Sequence, residues 1–185
     1  MATTRFKSGR ELILGGQRSG KSRCAESRAA AWLAQPGCSA MLLATALPGD
    51  AEMQQRIARH RADRALRVPA LATLEVSHDL AATLRDHSDA QRLLVVDCLT
   101  LWLTNLLMPM HGAGLGDDEW QGRCTSLCTT LQTLPGPVVL VSNEIGLGLS
   151  PMTTEARRFV DELGRLHQAV AALATRVTWM VAGIE

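Results

Sequence analysis

The sequence predicts an α/β domain: a mostly parallel β-sheet flanked by helices, of the phosphate-loop NTPase, RecA-like type. Three observations predict it. Short apolar runs alternate with segments of helical pattern along most of the 185 residues, as in a parallel sheet covered on both faces. The first apolar run, Leu12-Ile13-Leu14, leads straight into GGQRSGKS, which fits the G-x-x-x-x-G-K-[ST] phosphate-binding loop. Polar and acidic residues recur where later apolar runs end, the place where open parallel sheets collect ligands.

LILG reads as the first strand. The loop after it, Gly15, Gly16, Gln17, Arg18, Ser19, Gly20, Lys21 and Ser22, is read as nucleotide-binding. Its glycines allow a tight turn and close approach of the backbone to an anion. Its amides then face that anion at the positive end of the next helix. Lys21 reaches the β/γ-phosphates as a catalytic cation, and the Ser22 hydroxyl sits on Mg²⁺. Arg18 adds a second cation, which suits a triphosphate.

KSRCAESRAAAWLA reads as a helix stopped by Pro36-Gly37. AMLLATA is the second strand, with Thr45 and Ala46 at its nucleotide-facing end. AEMQQRIARHRADRAL is helical by pattern, with Met53, Ile57 and His60 at i, i+4 and i+7. HDLAATLRDH is a short helix for which Ser77 is the expected cap. RLLVVDCL is a third strand, and LTLWLTNLLM a helix ending at Pro109. DEWQGRCTSLCTTLQTL places Trp120, Cys124, Leu127, Leu131 and Leu134 on one face. GPVVLVSNE is a fourth strand, TTEARRFVDELGRLHQAVAALA a long amphipathic helix and RVTWMVAGI a fifth strand. Residues 1–10 read as a flexible extension and residues 11–185 as one domain.

Asp97 ends the third strand. It has two readings: a second support for Mg²⁺, or the cap of the helix that follows. Asn143 and Glu144 end the fourth strand, placed to meet a substrate hydroxyl or a metal. His60 stands among Arg56, Arg59, Arg61 and Arg64. That crowd attracts phosphate and makes His60 a candidate nucleophile, while a solvated basic helix face has the same pattern. His78, His87 and His167 come next in line.

Composition narrows the class. Hydrophobic residues are 46% of the chain, enough for one full core, and the net charge of +1 does not favour nucleic acid as a partner. The five cysteines are odd in number and form no C-x-x-C pair, which suits a reducing compartment. Cys124 and Cys128 read as an apolar helix face rather than a metal site. No apolar run approaches the roughly 20 residues of a membrane span, so the expected location is the cytoplasm.

Five segments in order, LGGQRSGKSRCAE, ATALPGDAEMQQRIARHR, LLVVDCLTLWLTNLL, VVLVSNEIGLGLSP and ARRFVDELGRLHQAVAALATRVTWMVAGI, resemble one family. It is the bifunctional adenosylcobinamide kinase/adenosylcobinamide-phosphate guanylyltransferase family of cobalamin biosynthesis. The phosphate loop joined to R-I-x-x-H and N-E-[IV]-G-x-G carries the resemblance. It implies phosphorylation of adenosylcobinamide by ATP or GTP. It further implies transfer of GMP from GTP to that phosphate through a guanylyl-histidine, here His60, with Mg²⁺ and a homotrimeric assembly. It also implies that Arg61, Arg64 and Glu75 contact nucleotide. Glu75 takes the acidic place although the family's preceding Trp is missing, and Pro151-Met152-Thr153 stands where many members have Pro-Glu-Asn. A single-function small-molecule or nucleotide kinase is the alternative enzyme. A nucleotide-dependent switch is the alternative outside catalysis, without an evident switch loop or partner surface.

Overall fold

The computed structural model describes residues 9–185. Its elements are β1 (Arg10–Gly15), α1 (Lys21–Leu33), β2 (Ser39–Ala44), α2 (Ala51–Arg67), β3 (Ala72–Glu75) and α3 (Leu80–His87). β4 (Arg92–Asp97), α4 (Leu99–Leu107), α5 (Asp117–Thr133), β5 (Val138–Val141), α6 (Thr154–Leu173) and β6 (Arg176–Met180) follow. The strands form one sheet in the order β3-β2-β4-β5-β1-β6. Every pairing is parallel, so all carboxyl ends open on the same edge.

Alternation along the strands builds two cores. Leu12, Leu14, Leu94, Val96, Val138 and Leu140 pack on one face with α3 to α6. Ile13, Leu93, Val95, Val139 and Val141 pack on the other with α1 and the end of α2. Trp102 of α4 and Trp120 of α5 meet in the first core, ring centroids 5.4 Å apart and tilted by 52°. The Trp120 indole N–H donates to Glu162 Oε2 of α6 at 2.8 Å, so a buried polar atom is satisfied rather than orphaned.

Three local expectations are corrected. Arg10, assigned to the extension, is the first residue of β1 and is buried. Its guanidinium donates to the carbonyls of Leu131, Leu134 and Gly136 at 2.7, 2.7 and 2.9 Å, satisfying carbonyls left open at and beyond the end of α5. The rest of the expected extension, residues 1–8, lies outside the described residues. Ser77 does not cap α3: the cap position is Asp79, and Ser77 Oγ instead meets His78 Nδ1 at 2.8 Å. Finally, the sheet has six strands rather than five, because Ala72–Glu75 pairs with β2 at the sheet edge.

Candidate functional site

The phosphate loop joins β1 to α1, as its sequence dictates. Gly15 and Gly20 have φ of +153° and +99°. A Cβ on Gly15 would lie 2.4 Å from the Met180 carbonyl oxygen, so only glycine fits there. Gly16, Gln17 and Arg18 are exposed while Ser19 is buried. Lys21 Nζ donates to the Gly16 carbonyl at 2.6 Å and to Ser19 Oγ at 3.4 Å, curling over the loop. Burial lowers the Lys21 pKa, as does Arg56, whereas Cys98 and Asp97 oppose that shift. Asp97 at the end of β4 and Arg56 on α2 are therefore both within electrostatic reach of the loop lysine.

α2 carries the other predicted residues. Asp50 caps it, its carboxylate accepting from the Met53 amide at 2.8 Å. Positions i and i+4 share a helix face, so His60 lies on the Arg56 side, about 6 Å farther along the axis. It is partly exposed. Arg61, the next residue, and Arg64, a turn on from His60, line a cleft of about 370 Å³ shared with Val68, Leu71, Thr73 and Glu75. Arg61 and Glu75 form an ion pair across it. Arg61 and Arg64 of α2 are thus brought together with Glu75 of β3.

Asp97 is not the helix cap. The cap position of α4 is Cys98, which makes no side-chain cap bond. Burial and the neighbouring Asp97 push the Cys98 thiol up to about 12, so it is no nucleophile. Thr45 has a structural tie of its own. It is fully buried, its hydroxyl donates to the Cys98 carbonyl at 2.7 Å and accepts from the Cys98 amide at 2.8 Å. It ties the ends of β2 and β4 together. Ala46 is partly exposed beside it.

The end of β5 closes the site. The Glu144 amide donates to the Gly15 carbonyl at 3.0 Å, and the Asn143 amide donates to Thr100 Oγ1 at 2.8 Å. Thr100 Oγ1 lies 3.0 Å from Ser142 Oγ, which lies 2.7 Å from His167 Nε2. His167 Nδ1 is 3.6 Å from Glu144 Oε2. The Thr100, Ser142 and His167 contacts escaped the sequence reading, since Ser142 and His167 are separated by a loop and half of α6.

A profile of the cobinamide kinase / cobinamide phosphate guanyltransferase family (CobU) matches residues 11–185. The chain belongs to this family. It is 52% identical over 178 residues to the bifunctional adenosylcobalamin biosynthesis protein CobP of Pseudomonas aeruginosa, covering 95% of this chain and 94% of that one. It is 34% identical over 182 residues to the bifunctional adenosylcobalamin biosynthesis protein CobU of Escherichia coli, covering 94% and 96%. The Salmonella typhimurium protein of the same name is 33% identical over 183 residues, with the same coverage. Among solved structures, the flagellar accessory protein FlaH of Methanocaldococcus jannaschii matches with a TM-score of 0.51 at 13% identity, over 94% of this chain and 71% of that one. That likeness concerns the fold alone. Among the described residues, no helix is long and apolar enough to cross a membrane.

Proposed function

We propose that this family member phosphorylates the side-chain hydroxyl of adenosylcobinamide with ATP or GTP, then transfers GMP from GTP onto that phosphate through His60. The observation that carries the reading is the line of groups along α2. Arg56 is within reach of Lys21, His60 lies one turn on, and the Arg61–Arg64–Glu75 cleft follows. A triphosphate held by Lys21 and Arg56 at its β/γ end, with its nucleoside toward the cleft, has its α-phosphorus beside His60.

In the first step the acceptor oxygen bonds to the γ-phosphorus and the bond to the β-bridging oxygen breaks. Lys21 and the loop amides neutralise the departing diphosphate. In the second step a His60 ring nitrogen bonds to the α-phosphorus and pyrophosphate leaves. The corrinoid phosphate then displaces the imidazole. Ser22 and Asp97 are suited to hold Mg²⁺. They are half-buried, and among the described residues their side-chain oxygens enter no hydrogen bond, leaving the hard donors this ion prefers. The ion supplies charge neutralisation to the polyphosphate when bound.

The acceptor is a large macrocycle. Leu147, Leu149 and Met152 are almost fully exposed on the loop after Glu144, and Leu47 and Met110 are exposed on neighbouring loops. Such apolar surface beside the phosphate site suits a corrinoid. The resemblance further supports a homotrimer, and exposed Val177 and Trp179 on edge strand β6, with Val181 just beyond it, offer apolar surface for subunit contact. Five free thiols support a cytoplasmic location.

The test is incubation of the purified protein with α-³²P-GTP. Acid-labile, alkali-stable label on the protein is expected, discharged when adenosylcobinamide phosphate is added. No label under conditions that support kinase turnover would reduce the protein to the single-function kinase.

A further inference from the structure

The kinase step needs something to take the proton of the attacking hydroxyl, and the loop after β5 holds a carboxylate for it. Glu144 is fixed by its amide to Gly15. Its Oε1 accepts from the Gly146 amide at 2.5 Å, and its side chain remains about one-fifth exposed, 20%. Its other oxygen faces a buried histidine.

The carboxylate beside it sets that histidine's form. His167 Nδ1 lies 3.6 Å from Glu144 Oε2, and a bare nitrogen lone pair turned on a carboxylate is repulsive, so Nδ1 carries the ring hydrogen. Nε2 is then the acceptor and Ser142 Oγ, 2.7 Å away, its donor. Thr100 Oγ1 accepts from the Asn143 amide and lies 3.0 Å from Ser142 Oγ, which holds the serine in place. Thr100, Ser142 and His167 are only 8%, 0% and 7% exposed, so solvent does not scramble the chain. Burial lowers the His167 pKa, with Glu144 opposing it, in keeping with a neutral ring.

We propose that His167, held by Ser142 and Thr100, is the positioning residue that sets the Glu144 carboxylate toward the acceptor hydroxyl of the phosphoryl-transfer step. This inference rests on the kinase reading above. As the acceptor oxygen bonds to the γ-phosphorus, its proton passes to Glu144, the bond to the β-bridging oxygen breaks, and the nucleoside diphosphate leaves with the electron pair. Glu144 returns the proton to solvent. The guanylyl step begins at an imidazole, with no hydroxyl to deprotonate, so it does not call on Glu144.

The experiment compares wild type with His167→Leu, His167→Asn, Ser142→Ala and Glu144→Gln. It measures kinase kcat and KM, and His60 labelling by α-³²P-GTP, on each. Supporting-residue losses around a reactive group are typically about 10- to 100-fold. That loss is expected in kinase kcat for His167→Leu and Glu144→Gln, with KM for nucleotide within about twofold and labelling retained. Asn places an N–H where Nδ1–H stood, so His167→Asn should recover most of kcat. Ser142→Ala, a smaller change, should show the same selective loss even if the leucine variant misfolds. Undiminished kcat in folded His167→Leu or Ser142→Ala, equal loss of labelling and kinase, or no recovery with Asn would each overturn the inference. A wild-type protein active in both assays confines such a failure to the inference. A wild type inactive in both would overturn the functional reading and this inference with it.

Discussion

The amide of Glu144 donates to the carbonyl of Gly15 at 3.0 Å. That bond extends the β1–β5 ladder by one rung beyond Ser142, whose amide donates to Ile13. The phosphate loop and the Asn143-Glu144 loop therefore leave the sheet as one braced unit. Any group on the second loop is thus registered against the first. In the proposed mechanism this bracing lets one site serve two phosphorus centres of one triphosphate.

In the proposed mechanism Lys21 is the cation common to both reactions. Its Nζ rests on Gly16 and Ser19 within the loop, poised to exchange those oxygens for phosphate. Lys21→Ala should cost about 3–4 kcal/mol of transition-state stabilisation in each half-reaction. Circular dichroism should be unchanged. Parallel turnover assays check this, and near-normal turnover in either reaction would remove Lys21 from that step.

A second prediction concerns stability away from the site. Glu11 is fully buried in β1. It accepts from Arg28 Nε at 3.0 Å and Thr178 Oγ1 at 2.6 Å, with Arg176 Nε at 3.4 Å. Removing one partner of a buried pair costs about 3–5 kcal/mol. Here Arg28 keeps Glu185 at 2.7 Å, so Glu11→Ala should cost about 2–3 kcal/mol. Urea titration should show that loss, with His60 labelling preserved in the folded fraction. An unshifted midpoint would mean that water replaces the carboxylate without penalty.

The phosphate loop was legible because its chemistry is local: eight consecutive residues specify turn, anion and helix start. The strands β1, β2, β4, β5 and β6 were legible as apolar runs. β3 was not, because Ala72, Thr73 and Glu75 are exposed and only Leu74 is half-buried, so no run or clean alternation marks it. The tie made by Thr45 was hidden for a related reason. Its position at a strand end is visible in the sequence, but its hydroxyl bonds the Cys98 peptide 53 residues away. His167 stood among candidate nucleophiles in the sequence, whereas its fold position makes it a buried partner of Ser142.

That burial has a pH signature. The folded His167 pKa lies below its ordinary value near 6.5 because burial disfavours the charged ring. As pH falls through about 6.5 the unfolded chain takes up a proton before the folded one does. Between that point and the folded pKa, stability therefore rises with pH. Above 6.5 both states are neutral and the effect vanishes. The urea midpoint of wild type should fall on acidification below pH 6.5 more steeply than that of His167→Asn. Parallel curves down to pH 5 would show that the folded ring protonates as readily as the free one.

The last prediction separates the two chemistries at His60. The γ-phosphoryl step uses loop, charge and acceptor, but no protein nucleophile. The guanylyl step requires a nitrogen–phosphorus bond, which an Asn side chain does not form. His60→Asn should therefore abolish label from α-³²P-GTP and guanylyl transfer, while phosphorylation of adenosylcobinamide survives within several-fold. In the proposed mechanism Lys21 and Arg56 still hold the triphosphate, and His60 itself enters no hydrogen bond among the described residues, so the helix should tolerate the change. The structure also narrows the outcome that would sink the idea. Were label to persist on His60→Asn, His167 would not be its bearer, since it is 7% exposed and Ser142 and Glu144 face its two ring nitrogens. The search would pass to His78 and His87. Loss of label together with complete loss of kinase would make His60 a structural residue, and the two reactions would no longer divide at that imidazole.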